Sequence, residues 1–135
     1  MRMLKQRRTD RHEVKRREIM NTRECYEAMG ANYDNVLSRL GSEAMVQHFA
    51  LKFLNDSSFG SLEEALEKQD AEEAFRAAHT LKGVCLNLGF DNLFTVSSEL
   101  TELLRGGEMN GSDELFSKVK EQYEITMEAI RGLQQ

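Results

Sequence analysis

The chain has 135 residues, of which 40% are apolar and 30% charged, and it contains no proline and no tryptophan. This length suits one domain, and the apolar content is too high for a disordered chain. Average usage would give about seven prolines in a chain this long. Because helix interiors reject proline whereas loops and sheet edges use it, we expect an all-α fold.

Charge is distributed unevenly along the chain. Residues 1–20 carry eight basic and three acidic side chains, a net of +5, whereas the remaining residues have a net charge of −10. The acidic body argues against nucleic acid as a partner. We interpret residues 1–19 as a basic leader, helical or disordered, and solvation or contact with an anionic surface are both open roles for it.

The sequence also constrains where the protein works. The leader lacks the apolar core of a secretory signal, and no stretch is long and apolar enough to form a transmembrane segment. The two cysteines, Cys25 and Cys85, form no disulfide pattern and fit a reduced compartment. We therefore expect a cytoplasmic protein.

Start and stop signals divide residues 20–135 into helices. Two short helices are predicted at residues 20–29 and 33–40, each followed by a glycine. Four longer amphipathic segments follow near residues 42–56, 70–88, 91–105 and 112–133. The predicted N-terminal caps are Ser42, Ser61 (a capping box with Glu64 that opens a short helix), Asp70 (a capping box with Glu73), Asp91 and Ser112. Short connections predict an antiparallel four-helix bundle with short extra N-terminal helices.

The segment at residues 70–88 has an unusual outer face. A helical wheel places its small and aliphatic residues on one side and His79 on the other. Around this histidine the wheel places Phe75, Lys82, Gly83, Leu86 and Phe90. An apolar cluster around a histidine on an exposed face indicates a docking site.

Gly83 and Lys82 indicate what this face does. Glycine in a helix interior costs about 1 kcal/mol relative to alanine, and Gly83 leaves space one turn after His79. Lys82 brings positive charge to the same face. A nucleophilic imidazole, a cation and cleared space together favour phosphoryl transfer to histidine.

These residues resemble the histidine-containing phosphotransfer (HPt) domain family. The run HTLKG at residues 79–83, followed by NLG at 87–89, is similar to the family signature, and so is the approach LEEALEKQD at 62–70. Helix order agrees from roughly residue 30 to 130 of the chain. The resemblance implies that residues 20–135 form one HPt domain.

The resemblance also implies roles and partners. His79 would exchange a phosphoryl group with an aspartate of a response-regulator receiver domain, alone or within a hybrid sensor kinase. Lys82 and Gly83 would support the transfer, and Phe75, Leu86 and Phe90 would contact the receiver. Thr101, or else Ser97 or Ser98, would contact the inner imidazole nitrogen. The family works as a monomeric phosphoryl carrier with no ATP site and no cofactor of its own, because magnesium belongs to the receiver.

Other interpretations stay open or are disfavoured. A helical adaptor that docks a signalling partner without phosphotransfer would keep the same bundle. No metal site is predicted, because the histidines and cysteines are scattered without ligand spacing. His48 is interpreted as an ordinary histidine on a helix surface.

Overall fold

The computed structural model describes residues 20–133, and the predicted leader and residues 134–135 lie outside that range. Within it the chain forms α-helices and one 3₁₀ helix, with no strand, so the predicted all-α class is confirmed. The helices are α1 (Thr22–Ala28), α2 (Tyr33–Leu40), α3 (Glu43–Lys52), the 3₁₀ helix Phe53–Asn55, α4 (Ser58–Glu67), α5 (Ala71–Leu88), α6 (Asp91–Arg105) and α7 (Ser112–Arg131).

Helices α4 to α7 form the bundle. Helix α5 packs against α4 and α6, and α6 packs against α7. Stacking of Phe59 on Tyr123, with ring centroids 3.9 Å apart, joins α4 to α7 and closes the bundle. Connections of two to six residues make consecutive helices antiparallel. Of the helices that precede the bundle, α1 packs against α7, α3 packs against α5 and α7, and α2 packs against α1 and α3.

The first bundle helix differs from the prediction. Residues 42–56 are divided between α3 and the 3₁₀ helix, and α4 makes the extensive contact with α5. The predicted capping box at Ser61 is wrong, because α4 already begins at Ser58. There the Asp56 carboxylate accepts a hydrogen bond from the Ser58 backbone N–H, at 2.9 Å. Burial of Phe59 between the helices favours this earlier start.

The other predicted caps divide into two groups. Ser42 and Asp70 each accept a hydrogen bond from the backbone N–H three residues ahead, at 3.2 and 3.1 Å, as predicted. Asp91 and Ser112 are instead the first residues of their helices, so these two cap predictions are wrong by one position. The Asp91 carboxylate accepts from the Asn32 backbone N–H at 3.1 Å and ties α6 to the segment before α2.

The end of α5 turns the chain into the core. Gly89 adopts a left-handed conformation, with φ of 75°, and ends the helix. The Tyr26 hydroxyl donates a buried hydrogen bond of 2.6 Å to the Leu88 carbonyl. Phe90 follows at 1% exposure, with its ring 5.1 Å from Phe53 and 5.8 Å from Tyr26. The predicted position of Phe90 on the outer docking face is therefore wrong, because the helical wheel does not continue past Gly89.

The contrast between Phe90 and Leu86 can be measured. We expect Phe90→Ala to lower the free energy of unfolding by about 3 kcal/mol or more, because it leaves a core cavity. Leu86→Ala removes a side chain that is 55% exposed, and we expect a change within about 0.5 kcal/mol. Urea unfolding followed by circular dichroism measures both, and equal losses would contradict the assigned core.

Candidate functional site

The rotation of α5 is fixed by its buried face. The fully or nearly buried side chains of α5 follow a three-to-four residue spacing and are Ala74, Ala77, Ala78, Leu81, Cys85 and Leu88. Three of them are alanines, which allow α4 and α6 to approach closely. Because these residues face the core, His79 lies on the exposed side of the helix, as the wheel predicts.

His79, Lys82 and Gly83 lie within one turn of this exposed side. His79 is exposed, and Lys82 and Gly83 are partly exposed. A Cβ atom built at Gly83 meets no heavy atom of residues 20–133 within 4 Å outside its own helix backbone. Packing by another described helix therefore does not explain this glycine, which is partly exposed.

Phe75 and Leu86 extend the same stripe in both directions along α5. The Phe75 ring is half-buried, and its centroid lies 5.8 Å from that of the His79 ring. The guanidinium of Arg105, from the end of α6, lies 5.1 Å above the Phe75 ring in a cation–π contact. Leu86 stands exposed one turn beyond Gly83. The stripe thus presents apolar surface on either side of the imidazole.

Thr101 does not make the contact with the imidazole that the family resemblance implies. Its side chain is buried, and its hydroxyl donates a 2.7 Å hydrogen bond to the Ser97 carbonyl in the same helix. The structure therefore does not bring Thr101 to the exposed imidazole. Ser97 is buried as well, and its hydroxyl has no hydrogen-bond partner among residues 20–133. Ser98 is partly buried, with no hydrogen bond from its side chain within the described range.

Glu102 is a candidate site residue that the sequence analysis does not name. Its carboxylate accepts two hydrogen bonds of 3.1 Å from the Arg105 guanidinium. That hydrogen bonding lowers the Glu102 pKa most, and the charges of Arg105, Lys82 and His79 lower it further. Glu102 is therefore a candidate partner of the site on electrostatic grounds. The sequence offers one signal for Glu102, its position next to Thr101. Which of these two residues lies nearer to His79 depends on the register between α5 and α6.

Positive charge also lies at the end of α5. The Arg39 guanidinium donates to the backbone carbonyls of Leu86 and Asn87, at 3.4 and 3.3 Å. These are among the carbonyls that the end of the helix leaves without helical partners, and a cation there favours the helix dipole. With Lys82 and Arg105, Arg39 places three basic side chains around the stripe, in a chain that is acidic overall.

Other chemistries find little support within residues 20–133. No three His, Cys, Asp or Glu side chains cluster there in a way that could hold a metal ion. Cys25 and Cys85 are buried, and burial raises the pKa of the Cys25 thiol to about 12, which disfavours a reactive thiolate. None of the helices in this range has the length and apolar character to span a membrane.

Comparison with known families identifies this architecture. The Hpt domain pattern matches residues 55–132, more than half of the chain, and covers all of α4, α5, α6 and α7. The chain belongs to the Hpt domain family. Neither a curated protein nor a solved structure matches it.

Membership assigns this Hpt domain a phosphotransfer role in two-component signalling. It also implies interaction with response regulators or kinases, the proteins that Hpt domains serve. The match includes the whole exposed stripe of α5 and the facing part of α6.

Gly83 can be tested through stability. With open space at the position, we expect Gly83→Ala to raise the free energy of unfolding by about 0.5–1 kcal/mol, because alanine loses less conformational entropy in a helix. Gly60→Ala is the matched control, since Gly60 lies in α4 with the same open surroundings. Denaturant unfolding of both variants is the measurement. A destabilised Gly83→Ala protein beside a stabilised Gly60→Ala protein would mean that Gly83 serves packing instead.

Proposed function

We propose that His79 is the phosphoryl-carrying residue of this Hpt domain. It would receive the group from an aspartyl phosphate of a response-regulator receiver domain, or return it. The observation that supports this most is the combination of an exposed imidazole with an open glycine one turn away, inside the stretch that matches the family. The chain then acts as a carrier between two partners and needs no ATP site.

The reaction is a direct transfer between nitrogen and oxygen. The lone pair of the His79 Nε2 atom attacks phosphorus while the bond from phosphorus to the aspartate oxygen breaks. The bonding electrons leave with the aspartate carboxylate, and the new bond joins phosphorus to Nε2. The attacking and leaving atoms lie in line, so the receiver must approach the outer face of α5 directly.

Two charged side chains assist this transfer in the proposal. Lys82 brings an ammonium group to the oxygens of the transferred phosphoryl group, whose negative charge it offsets. Glu102 takes the part expected of Thr101 and acts as a positioning residue. Its carboxylate accepts a hydrogen bond from the N–H of the inner imidazole nitrogen, Nδ1, which leaves Nε2 as the nucleophile.

The stripe of α5 supplies the docking surface. Phe75 and Leu86 offer apolar area on either side of His79, and the absence of a side chain at Gly83 lets the receiver backbone come close. Leu86 is the most exposed of the large apolar side chains within residues 20–133. Such exposure is expected of a surface that another protein covers.

The phosphoacceptor assignment is tested by labelling. Receiver domains from the organism that carries this chain are phosphorylated with labelled acetyl phosphate and mixed with the protein. We expect acid-labile, alkali-stable label on the chain, and its loss in His79→Gln, because glutamine offers no nucleophilic ring nitrogen.

The matched control is His48→Gln, which changes another exposed histidine, on α3. It is expected to keep the label. Label that persists in His79→Gln would exclude the assignment. Intact receiver binding and signalling in His79→Gln would instead favour the helical adaptor.

The role of Glu102 predicts a change in rate. We expect Glu102→Gln to slow phosphoryl transfer on the order of tenfold, the equivalent of about 1.4 kcal/mol of transition-state stabilisation. Arg105→Met is the companion variant, because it removes the guanidinium and keeps the carboxylate. Rapid-quench kinetics measures both. Equal slowing in the two variants would show that Glu102 acts only by holding Arg105, and an unchanged rate in Glu102→Gln would contradict its role.

A further inference from the structure

A second surface lies along the outer face of α7. A groove of about 820 Å³ runs there, and both apolar side chains and carboxylates line it. Its lining includes Met20, Ala28, Glu121, Glu124, Ile125 and Glu128. Ile125 is 39% exposed and is one of three large apolar side chains that residues 20–133 leave exposed. The groove therefore combines apolar area with negative charge.

The negative charge of this groove is only partly offset. Glu128 pairs with Arg131 at 3.6 Å. No ion pair between described residues uses Glu121 or Glu124, although both side chains are exposed. Since α7 places Glu121 and Glu124 seven and four positions before Glu128, the three carboxylates follow one side of the helix.

The chain enters the described range at this groove. Met20 is part of the lining, and its backbone N–H donates a 2.7 Å hydrogen bond to the Gly132 carbonyl just beyond α7. Residues 1–19, which carry eight basic and three acidic side chains, are therefore joined covalently to one end of the groove. Apolar residues such as Leu4, Val14 and Ile19 are interspersed among these charges.

We infer that the groove is the docking site of the basic segment at residues 1–19 of the same chain. Basic side chains of the segment pair with Glu121 and Glu124, and its apolar residues cover Ile125. The rise from Gly132 back to Glu121 is about 16 Å along α7, and 19 residues reach farther than this in either helical or extended form. Covalent attachment gives the segment a high effective concentration at the groove.

This surface is separate from the phosphotransfer stripe. Helix α7 packs against α6 and α1, whereas the stripe lies on the outer face of α5, which packs against α4 and α6. The inference therefore does not rest on His79 as the phosphoacceptor. Docking at α7 leaves the face of His79 open to a receiver.

Paramagnetic broadening in the full-length protein tests this docking. Thr9→Cys carries a nitroxide label, and the buried Cys25 and Cys85 are shielded from the reagent. We expect amide signals of α7 around Glu124 to lose most of their intensity at low salt and to recover at high salt, because charge pairing is screened. Signals around His79 are expected to keep theirs. Absent or uniform broadening would overturn the inference.

Charge-reversal variants show whether the groove itself is responsible. Glu121→Lys combined with Glu124→Lys is expected to abolish the broadening, whereas the control pair Glu67→Lys and Glu99→Lys changes the net charge equally and is expected to keep it. Loss in both pairs would overturn the inference in favour of general charge attraction. The amide spectra report directly that each variant is folded.

The same method distinguishes a second copy as the occupant. Isotope-labelled protein without nitroxide is mixed with unlabelled protein that carries it. We expect no broadening in this mixture, because the segment binds within its own chain. Broadening of α7 signals there would assign the groove to the leader of another copy and overturn the intramolecular inference.

Discussion

Burial of one face of α5 is the constraint on which the rest of the structure depends. Ala74, Ala78, Leu81 and Cys85 have no exposed surface, and together they hold the helix in a single rotation against α4 and α6. Half a turn of rotation would expose Leu81 and bury the His79 imidazole without a hydrogen-bond partner, both of which cost free energy. The exposed histidine is thus a consequence of packing on the opposite side of its helix.

Two residues on the outer face of α5 favour neither the stability of the helix nor the solubility of the chain. Gly83 lies in the helix interior, where no described residue is close enough to require a glycine, and Leu86 is 55% exposed. Each choice lowers stability or solubility in the isolated chain. Such residues are expected at functional sites, because binding of a partner explains them and packing within the chain does not.

Short sequence motifs predict the ends of helices correctly where neighbouring residues alone determine those ends. Helix α2 has the predicted bounds because Gly41, with φ of 98°, ends it by a backbone conformation that glycine readily adopts. The prediction of a cap at Ser61 is wrong because Phe59 stacks on Tyr123. This contact between residues distant in sequence extends α4 toward its N-terminus. The prediction that Phe90 lies on the outer face is wrong because a helical wheel assumes a continuous helix, and α5 ends at Gly89.

The candidate site was predictable only where it lies on one helix. His79, Lys82 and Gly83 share a face of α5 by their spacing alone. The partner from α6 depends on the register between two helices, which the sequence does not encode locally. Thr101 satisfies its hydroxyl within its own helix, whereas the charges of Lys82 and His79 help to lower the pKa of the exposed Glu102 carboxylate.

Nitrogen-15 NMR of the imidazole rings tests the central claim most directly. The full-length protein, with labelled histidines, is phosphorylated by a receiver domain of its own organism and compared with the unmodified protein. Phosphorylation of the Nε2 atom of His79 predicts a large shift and a phosphorus coupling at that one nitrogen, with the rings of His48 and His12 unchanged. A coupling at another histidine, or at Nδ1 of His79, would contradict the account.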